Sequence, residues 1–216
     1  FGTHLLLPVK GLFKLTIFAM DMINTIAPLL EFGHLLGDRI VPSSTGSEQC
    51  WPTISQWLIN CATGHELCRS SGPQPGWLPS RLIDVGGYGS SFQPCLILPA
   101  ETQLDAYKVR YVTLSHSWRN GPVARLTKSN ISVLRRRIEV GELSQTFQDA
   151  IYVTKKLGFR YLWIDSLCIV QDSREDWERE SAVMGEVYKG GVCNLAAAAA
   201  AQGSDGLFCE RDPSTI

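Results

Sequence analysis

The chain has 216 residues, enough for one domain of good size, or a domain with an appendage, and for a substantial core that needs no disulfide staples. Its 20 Lys and Arg residues against 21 Asp and Glu residues give a formal net charge of -1, which excludes the overall basic field typical of nucleic-acid-binding proteins. The 7 cysteines are odd in number and scattered, with no cleavable signal peptide before them, and this favours a reduced cytoplasmic protein.

The first 45 residues carry apolar patches that are interrupted by charged residues and prolines. Because no uninterrupted apolar run reaches the roughly 20 residues that a spanning helix needs, we expect no transmembrane segment there. The pattern predicts one or two amphipathic helices, which form an N-terminal helical extension over residues 1–45. We favour packing of this extension against the main domain, and attachment to a membrane surface is the alternative.

Residues 46–106 predict a flanking region made of a helix, loops and an edge strand. Apolar residues at spacings of three and four predict the helix over residues 53–68. Cys61, His65 and Cys68 share one face of this helix and could bind zinc. We favour small buried side chains beside a capping histidine, because the close CxxC pair of a structural zinc site is absent, and we predict no metal site.

Two short apolar segments complete the flanking region, separated by sequence rich in Gly, Pro and Ser. Residues 81–85 predict an edge strand. Residues 95–98 predict a further strand, which we expect to pair with the strand over residues 107–115 around the intervening loop.

From residue 107 onward the sequence alternates between strand and helix patterns. Strands are predicted over residues 107–115, from residue 161 and over residues 192–195, and helices over residues 146–157 and 173–190. This order predicts an α/β fold, in which a parallel sheet is flanked by helices in a three-layer arrangement. The strand that begins at Tyr161 is apolar throughout, so we place it at the centre of the sheet. We assign residues 107–216 to this domain and expect the domain to continue beyond them.

Two of the predicted helices begin with a capping-box pattern, in which a hydroxyl residue is followed three positions later by an acid. The pairs are Thr146 with Asp149 and Ser173 with Asp176. We therefore expect these side chains to bind backbone N–H groups in the first turn of their own helices. Gly158 is predicted to end the first of the two helices.

Polar side chains follow two neighbouring strands of this domain, at the point where each strand ends. Ser115, His116 and Trp118 follow the first strand, and Asp165 follows the second, with Asp172 nearby. Because the carboxyl ends of parallel strands meet at one edge of a sheet, where ligand crevices form, we predict a functional site there. Structural alternatives stay open, since Asp165 can cap the turn that follows it and His116 can be a buried structural histidine.

Glu180 is a carboxylate that borders the apolar face of the helix over residues 173–190. Helical spacing places it near Trp177 and Met184. A carboxylate at such a border has either a functional role or an ion-pair partner, and the sequence leaves both open.

Four sequence blocks, in order and at suitable spacing, resemble the successive blocks of the fungal heterokaryon incompatibility (HET) domain. They are residues 111–118 (YVTLSHSW), 146–151 (TFQDAI), 157–172 (LGFRYLWIDSLCIVQD) and 176–188, which begin with DWERE. Residues 57–68 and 78–85 are similar to the flank that often precedes this domain.

The resemblance implies an effector of programmed cell death in allorecognition, triggered when genetically unlike fungal cells fuse. It also implies a flavodoxin-like fold similar to that of Toll/interleukin-1 receptor (TIR) domains. Some TIR domains cleave NAD with a glutamate shortly after a tryptophan, and Glu180 after Trp177 resembles that position. NAD is then a possible substrate, and no prosthetic group is expected.

If the chain is an enzyme, the resemblance implies an NAD glycohydrolase with Glu180, Asp165 and His116 as its catalytic residues. Glu180 would face the oxocarbenium-like transition state and Asp165 would orient a ribose hydroxyl. Trp118 or Trp163 would stack on a ring of NAD. The residues expected to bind NAD are Ser115, Trp118, Trp163 and Asp172.

The alternative is a non-catalytic signalling module of the same fold, which self-associates or binds other death-signalling proteins. This module needs no intact carboxylate pocket. A zinc-stabilised regulatory protein and an unrelated hydrolase that uses Cys168 or Ser115 are further alternatives. We expect neither a nucleic acid nor a membrane as the partner under any of these hypotheses.

Overall fold

The computed structural model describes residues 16–17, 42–65, 76–118, 124–197 and 205–210. The predicted N-terminal helical extension lies outside these ranges except for residues 16–17 and 42–45, and the helical prediction is wrong for residues 16–17, which form a strand of the sheet. Cys68 also lies outside the described ranges, so the rest of the extension and the zinc alternative stay predictions. Within the described ranges, no three metal-ligating side chains come together, and none of the helices there combines the length and hydrophobicity that crossing a bilayer requires.

The centre of the structure is a mixed six-stranded sheet with the strand order β1-β6-β4-β5-β2-β3. Strand β4 runs parallel to both β5 and β6, and the other three pairings are antiparallel. The predicted parallel sheet is therefore confirmed for the three middle strands only. The strands are β1 (Thr16–Ile17), β2 (Leu82–Asp84), β3 (Cys95–Ile97), β4 (Tyr111–Ser115), β5 (Tyr161–Ile164) and β6 (Cys193–Ala196).

Two helices connect the parallel strands. The five α-helices of the described ranges are α1 (Trp51–Gly64), α2 (Ile131–Leu134), α3 (Gln145–Lys156), α4 (Asp165–Cys168) and α5 (Arg174–Gly190). Helix α3 leads from β4 to β5, and α5 leads from β5 back across β4 to β6. Because crossovers are right-handed, these opposite directions place α3 and α5 on opposite faces of the sheet. The contacts agree, since the Tyr111 hydroxyl donates to the Val187 carbonyl of α5 (2.8 Å) and His116 contacts Phe147 of α3.

Strand β5 lies between β4 and β2, so its predicted place at the centre of the sheet is confirmed. All four of its residues are buried. The register pairs Leu114 of β4 with Ile164 of β5. The residues that follow these two strands therefore lie side by side at the same edge of the sheet.

The predicted pairing of residues 95–98 with residues 107–115 is wrong. Strand β3 pairs with β2 instead, with Leu82 opposite Ile97, and β2 pairs with β5, with Ile83 opposite Leu162. Strand β2 is thus an interior strand rather than an edge strand. A short apolar segment does not specify its partner, because the choice depends on which strand edge the rest of the fold leaves open.

A charged pair holds the β2–β5 junction together. The buried Asp84 carboxylate accepts hydrogen bonds from Arg160 Nε (2.9 Å) and Nη2 (2.8 Å), and the Val85 amide donates to the Arg160 carbonyl (2.9 Å). Two hydrogen bonds from one guanidinium add geometric specificity to the charge interaction. This pairing fixes the position of β2 beside the start of β5.

The capping-box predictions are wrong at both helices, although the helices form close to the predicted bounds. Thr146, the predicted cap of the first helix, is the second residue of α3 rather than the residue before it, and Ser173, which precedes α5, does not cap its helix through its side chain. Asp149 accepts hydrogen bonds from the Gln145 side chain and the Leu207 amide, both at 2.7 Å. A buried acid takes the partner that tertiary packing supplies, and the local pattern cannot show that partner. Gly158 ends α3 with a φ of 81°.

Deleting the flanking region should abolish cooperative folding, because β2 and β3 belong to the same sheet as β4 to β6. Burial of a side chain such as Leu82 or Ile83 contributes about 1.5–3 kcal/mol, out of a typical total of about 5–15 kcal/mol. We expect a fragment of residues 107–216 to show no cooperative thermal transition by circular dichroism, whereas the full chain shows one. A cooperative transition of the fragment at the midpoint of the full chain would contradict this assignment.

Candidate functional site

A pocket with a volume of about 280 Å³ lies at the carboxyl ends of β4 and β5. Because the chain leaves β4 towards α3 and leaves β5 towards α5, on opposite faces of the sheet, a crevice opens between the two strand ends. We call it the strand-end pocket. Its lining residues come from the segment after β4, from α4 and the turn after it, and from α5: Trp118, Asp165, Ile169, Gln171, Trp177 and Met184.

Asp165 is the carboxylate of the strand-end pocket. It is the first residue of α4, directly after β5, and its side chain is 20% exposed. One carboxylate oxygen, Oδ1, accepts a hydrogen bond from the Ser166 amide (2.7 Å), and Oδ2 accepts one from Trp118 Nε1 (3.0 Å). Asp165 therefore both binds the backbone of its own turn and faces the pocket.

His116 lies against Asp165, and its buried side chain is not among those that line the pocket. Its ring is nearly parallel to that of Trp118, with centroids 5.9 Å apart, and it meets Phe147 edge-on at 4.9 Å. His116 Nδ1 is 3.5 Å from Asp165 Oδ1, and neither ring nitrogen has a hydrogen-bond partner in the described part of the chain. Burial lowers the pKa of His116 and outweighs the charge of Asp165, which raises it, so the neutral imidazole is favoured.

Two exposed tryptophans give the pocket its aromatic character. Trp118 is 38% exposed and Trp177, on α5, is 53% exposed. The indole of Trp118 is held by its hydrogen bond to Asp165, and the Arg125 guanidinium lies over its ring, with Cζ 5.5 Å from the centroid. Trp177 is the more open of the two. The exposed surface of an indole can stack on a planar ring of a ligand.

Glu180 does not line the strand-end pocket. It is 3% exposed, and its Oε1 lies 3.3 Å from Arg179 Nε and 3.9 Å from Arg81 Nη1. The sequence is compatible with either a functional role or an ion pair for Glu180, and the structure shows the ion pair. Met184, one turn further along α5, reaches the pocket instead.

Glu180 belongs to a group of charges that we call the Arg81 cluster, consisting of the buried residues Arg81, Asp176 and Glu180 and the exposed Arg179. Arg81 Nη1 and Nη2 donate to Asp176 Oδ2 (3.0 Å) and Oδ1 (2.7 Å), and Arg179 also contacts Asp176. Burial alone would raise the pKa of Asp176, but hydrogen bonds from Arg81 and from the Val170 amide, with the charges of Arg81 and Arg179, hold that pKa below its ordinary value.

The Arg81 cluster also fixes the turn that carries two pocket residues. Arg81 Nη1 donates to the Cys168 carbonyl (2.9 Å), and the Val170 amide donates to Asp176 Oδ2 (2.8 Å). Ile169 lies between these two anchors. The Gln171 side chain donates to the carbonyl of Asp165 (3.1 Å) and to that of Ile169 (2.9 Å). Arg81, an arginine of the flanking region, thus stabilises the turn that forms part of the pocket wall.

The remaining predicted ligand-binding residues lie away from the strand-end pocket. The Ser115 hydroxyl donates to Asn194 Oδ1 (3.2 Å). Trp163 is 1% exposed and meets Tyr188 edge-on at 5.5 Å, so it is sealed in the core and cannot stack on a ligand. Asp172 is exposed and accepts a hydrogen bond from the Lys128 amide (2.8 Å). Trp118 is the one member of this predicted set that lines the pocket.

Cys168 does not have the properties of a catalytic thiol. It is buried, and burial raises its pKa to about 12. The thiolate is the nucleophilic form of cysteine, and it is not populated near neutral pH at such a value. The hydrolase alternative therefore gains no support from this residue.

Sequence reasoning did not assign a site role to several residues that build the pocket. In the sequence, Trp177 and Met184 lie on the apolar face of a helix, and Ile169 belongs to an apolar run. In the structure Trp177 is exposed, Met184 is half-buried and Ile169 is buried; what they share is a place at the strand-end crevice, which depends on where α5 packs. No sequence signal indicates Arg81, because its partners are distant along the chain. Arg125 lies close to its partner Trp118 in sequence, but in a polar stretch with no regular pattern.

The fold and the pocket together define an α/β domain with a crevice at the ends of its parallel strands. Residues 111–216, which begin at the first residue of β4, match the family model described as Heterokaryon incompatibility protein (HET). This part of the chain therefore belongs to the heterokaryon incompatibility family, and its membership indicates a role in heterokaryon incompatibility. No curated protein and no solved structure matches the chain.

Removing the acid at the centre of the Arg81 cluster should cost far more stability than removing an exposed acid of the same helix. Asp176→Ala leaves the buried Arg81 guanidinium without its main partner, and we expect the free energy of unfolding to fall by about 3–5 kcal/mol. Glu178, whose exposed carboxylate pairs with Arg174, is the matched control, and Glu178→Ala should cost less than about 1 kcal/mol. Urea unfolding measures both, and equal losses would show that the cluster is not a stabilising unit.

Proposed function

We propose that this protein is an effector of programmed cell death in heterokaryon incompatibility and that it cleaves NAD in the strand-end pocket. Family membership supports the first part of the proposal. The observation that carries the second part is the Asp165 carboxylate, which lines a pocket together with two exposed tryptophans. Such a site combines a charged group with flat apolar surfaces, the combination that binds a nucleoside and acts on its glycosidic bond.

The proposed reaction converts NAD and water into nicotinamide, ADP-ribose and a proton. The bond between the ribose C1′ and the nicotinamide nitrogen breaks, and its electron pair leaves with nicotinamide. The ribose then carries oxocarbenium character, which a nearby carboxylate stabilises. Water attacks C1′ and forms the new C–O bond, and its proton passes to the carboxylate and from there to solvent.

Asp165 is the residue placed to supply this carboxylate. The Trp118 indole and the Ser166 amide fix its two oxygens, so the group is oriented before the substrate arrives. His116, 3.5 Å from Oδ1, contributes as a positioning residue and as a neutral ring that adds no competing charge. Trp177 offers the more exposed surface for stacking on a ring of NAD. We therefore assign the role of the carboxylate that stabilises the transition state to Asp165 instead of Glu180.

Glu180 has an indirect role in this proposal. It is buried among the charges of the Arg81 cluster, whose hydrogen bonds hold the turn that carries Ile169 and Gln171. It therefore acts as a positioning residue for the pocket wall and does not touch NAD.

Replacing the pocket carboxylate should abolish NAD cleavage without unfolding the protein. We expect Asp165→Asn to lower the release of nicotinamide from NAD by at least about 100-fold, the usual cost of losing a group that stabilises transition-state charge. Asp172→Asn is the control, since this exposed acid lies outside the pocket, and it should keep the wild-type rate. Chromatographic measurement of nicotinamide, with thermal unfolding of each variant, provides the test.

Two outcomes would contradict the enzymatic proposal. One is equal turnover by the Asp165→Asn and Asp172→Asn variants. The other is the absence of turnover by wild-type protein at high concentration and in an assembled state.

A non-catalytic signalling module of the same fold is the second candidate function, and one observation favours it. Glu180, at the position where the TIR resemblance implies a catalytic glutamate, is sealed in ion pairs. On this reading the domain self-associates or binds another death-signalling protein, and the pocket carboxylate is dispensable.

Expression in fungal cells separates the two candidate functions. If the enzymatic proposal holds, overexpressed wild-type protein and its Asp172→Asn variant kill, and the Asp165→Asn variant at equal abundance does not. Killing that survives Asp165→Asn would favour the signalling module.

A further inference from the structure

Arg125 is an exposed arginine at the border of the strand-end pocket. Its guanidinium lies over the ring of Trp118, with Cζ 5.5 Å from the ring centroid. Contact between a guanidinium and an indole ring is attractive and holds the long side chain beside the pocket. In the ranges that the structure describes, Arg125 forms no ion pair with a carboxylate, so its N–H donors are available to a ligand.

The backbone that carries Arg125 is tied to the same turn that carries Asp165. The Leu126 amide donates to the Ser166 carbonyl, and the Gln171 amide donates to the Leu126 carbonyl, both at 2.8 Å. The Asn130 side chain donates to the Arg125 carbonyl, also at 2.8 Å. The position of Arg125 relative to the pocket is therefore set by hydrogen bonds on both sides of it.

The two charges of the site both contact one indole, that of Trp118. Asp165 accepts the Trp118 Nε1 hydrogen bond at the edge of the ring, and Arg125 lies over the ring itself. A ligand that meets both charges carries an anionic group at a short distance from a neutral or cationic ring system. Guanidinium groups recognise phosphate with two parallel hydrogen bonds, so phosphate is the anion that suits Arg125 best.

We propose that Arg125 is the phosphate-recognition residue of the strand-end pocket, so that the pocket selects phosphate-bearing nucleotides over the corresponding nucleosides. The inference rests on the proposed function for the identity of the ring system. It extends that function by assigning the preference for nucleotides over nucleosides to Arg125, a residue outside the pocket lining. The inference concerns ligand binding and does not require that the ligand is cleaved.

Both parts of the ligand are needed for tight binding. The ring contacts the exposed tryptophan surfaces, and the phosphate contacts Arg125. Inorganic phosphate presents the second part without the first, and a nucleoside presents the first without the second. Each of these should therefore bind more weakly than the nucleotide that joins them.

Titration of the full chain with nicotinamide mononucleotide, nicotinamide riboside and inorganic phosphate tests the inference, with tryptophan fluorescence or calorimetry as the readout. For the wild-type protein we expect the mononucleotide to bind at least about 10-fold more tightly than the riboside, because one charge-assisted contact is worth about that factor. Arg125→Gln should reduce this ratio to near 1, and Arg125→Lys should restore part of it. Arg136→Gln, which removes another exposed arginine outside the pocket, should leave the ratio unchanged.

Several results would overturn the assignment of Arg125. They are equal binding of mononucleotide and riboside by the wild-type protein, a preference that survives Arg125→Gln, and binding of inorganic phosphate as tight as that of the mononucleotide. The last result would indicate a free-phosphate site. Thermal unfolding of the Arg125→Gln and Arg125→Lys variants confirms that each is folded.

The failure of this inference is distinguishable from the failure of the proposed enzyme. If NAD is not cleaved but the mononucleotide is preferred through Arg125, the enzymatic proposal fails and the phosphate site stands. If NAD is cleaved and Arg125→Gln leaves KM unchanged, the enzymatic proposal stands and the phosphate site fails.

Discussion

The parallel pairing of β4 with β5 is the constraint on which the rest of the structure depends. Its register aligns Leu114 with Ile164, so the two strands end at the same level and the residues that follow them become neighbours. The chain then leaves the two ends towards opposite faces of the sheet, and the crevice between them is a consequence of that topology. A shift of one residue would exchange the faces of every side chain and would turn Trp163 away from the α5 side, where it is now buried.

The Arg81 cluster shows that the pocket depends on residues outside the part of the chain that matches the family model. Arg81 precedes β2, and its guanidinium binds Asp176 of α5 and the Cys168 carbonyl, on either side of the crevice wall. Burying charge is costly, and here the buried guanidinium of Arg81 and the exposed one of Arg179 meet two buried acids, which offsets that cost. The flanking strands therefore contribute to the shape of the site as well as to the sheet.

The elements that depend on local pattern were predictable, and those that depend on distant partners were not. The β5 strand, the helices α3 and α5 and the meeting of Asp165 with His116 and Trp118 follow from periodicity and from the geometry of parallel strands. The pairing of β2 and the partners of Asp149 and Asp176 follow from packing between segments far apart in sequence. The same limit explains why the role of Glu180 was not predictable. The sequence pattern of a carboxylate beside an apolar helix face is the same whether the carboxylate contacts a substrate or Arg81.

The contacts of Asp165 agree with the structural interpretation, and the same contacts support the function proposed for it. Its contact with the Ser166 amide fixes one oxygen, and its contact with Trp118 fixes the other, so the carboxylate has a single orientation towards the pocket. A carboxylate held in this way needs little reorganisation when a positive charge develops nearby. Arg125, over the same indole, brings a positive charge close to this carboxylate. The indole of Trp118 thus connects the two charges, because it binds the acid through its edge and the arginine through its face.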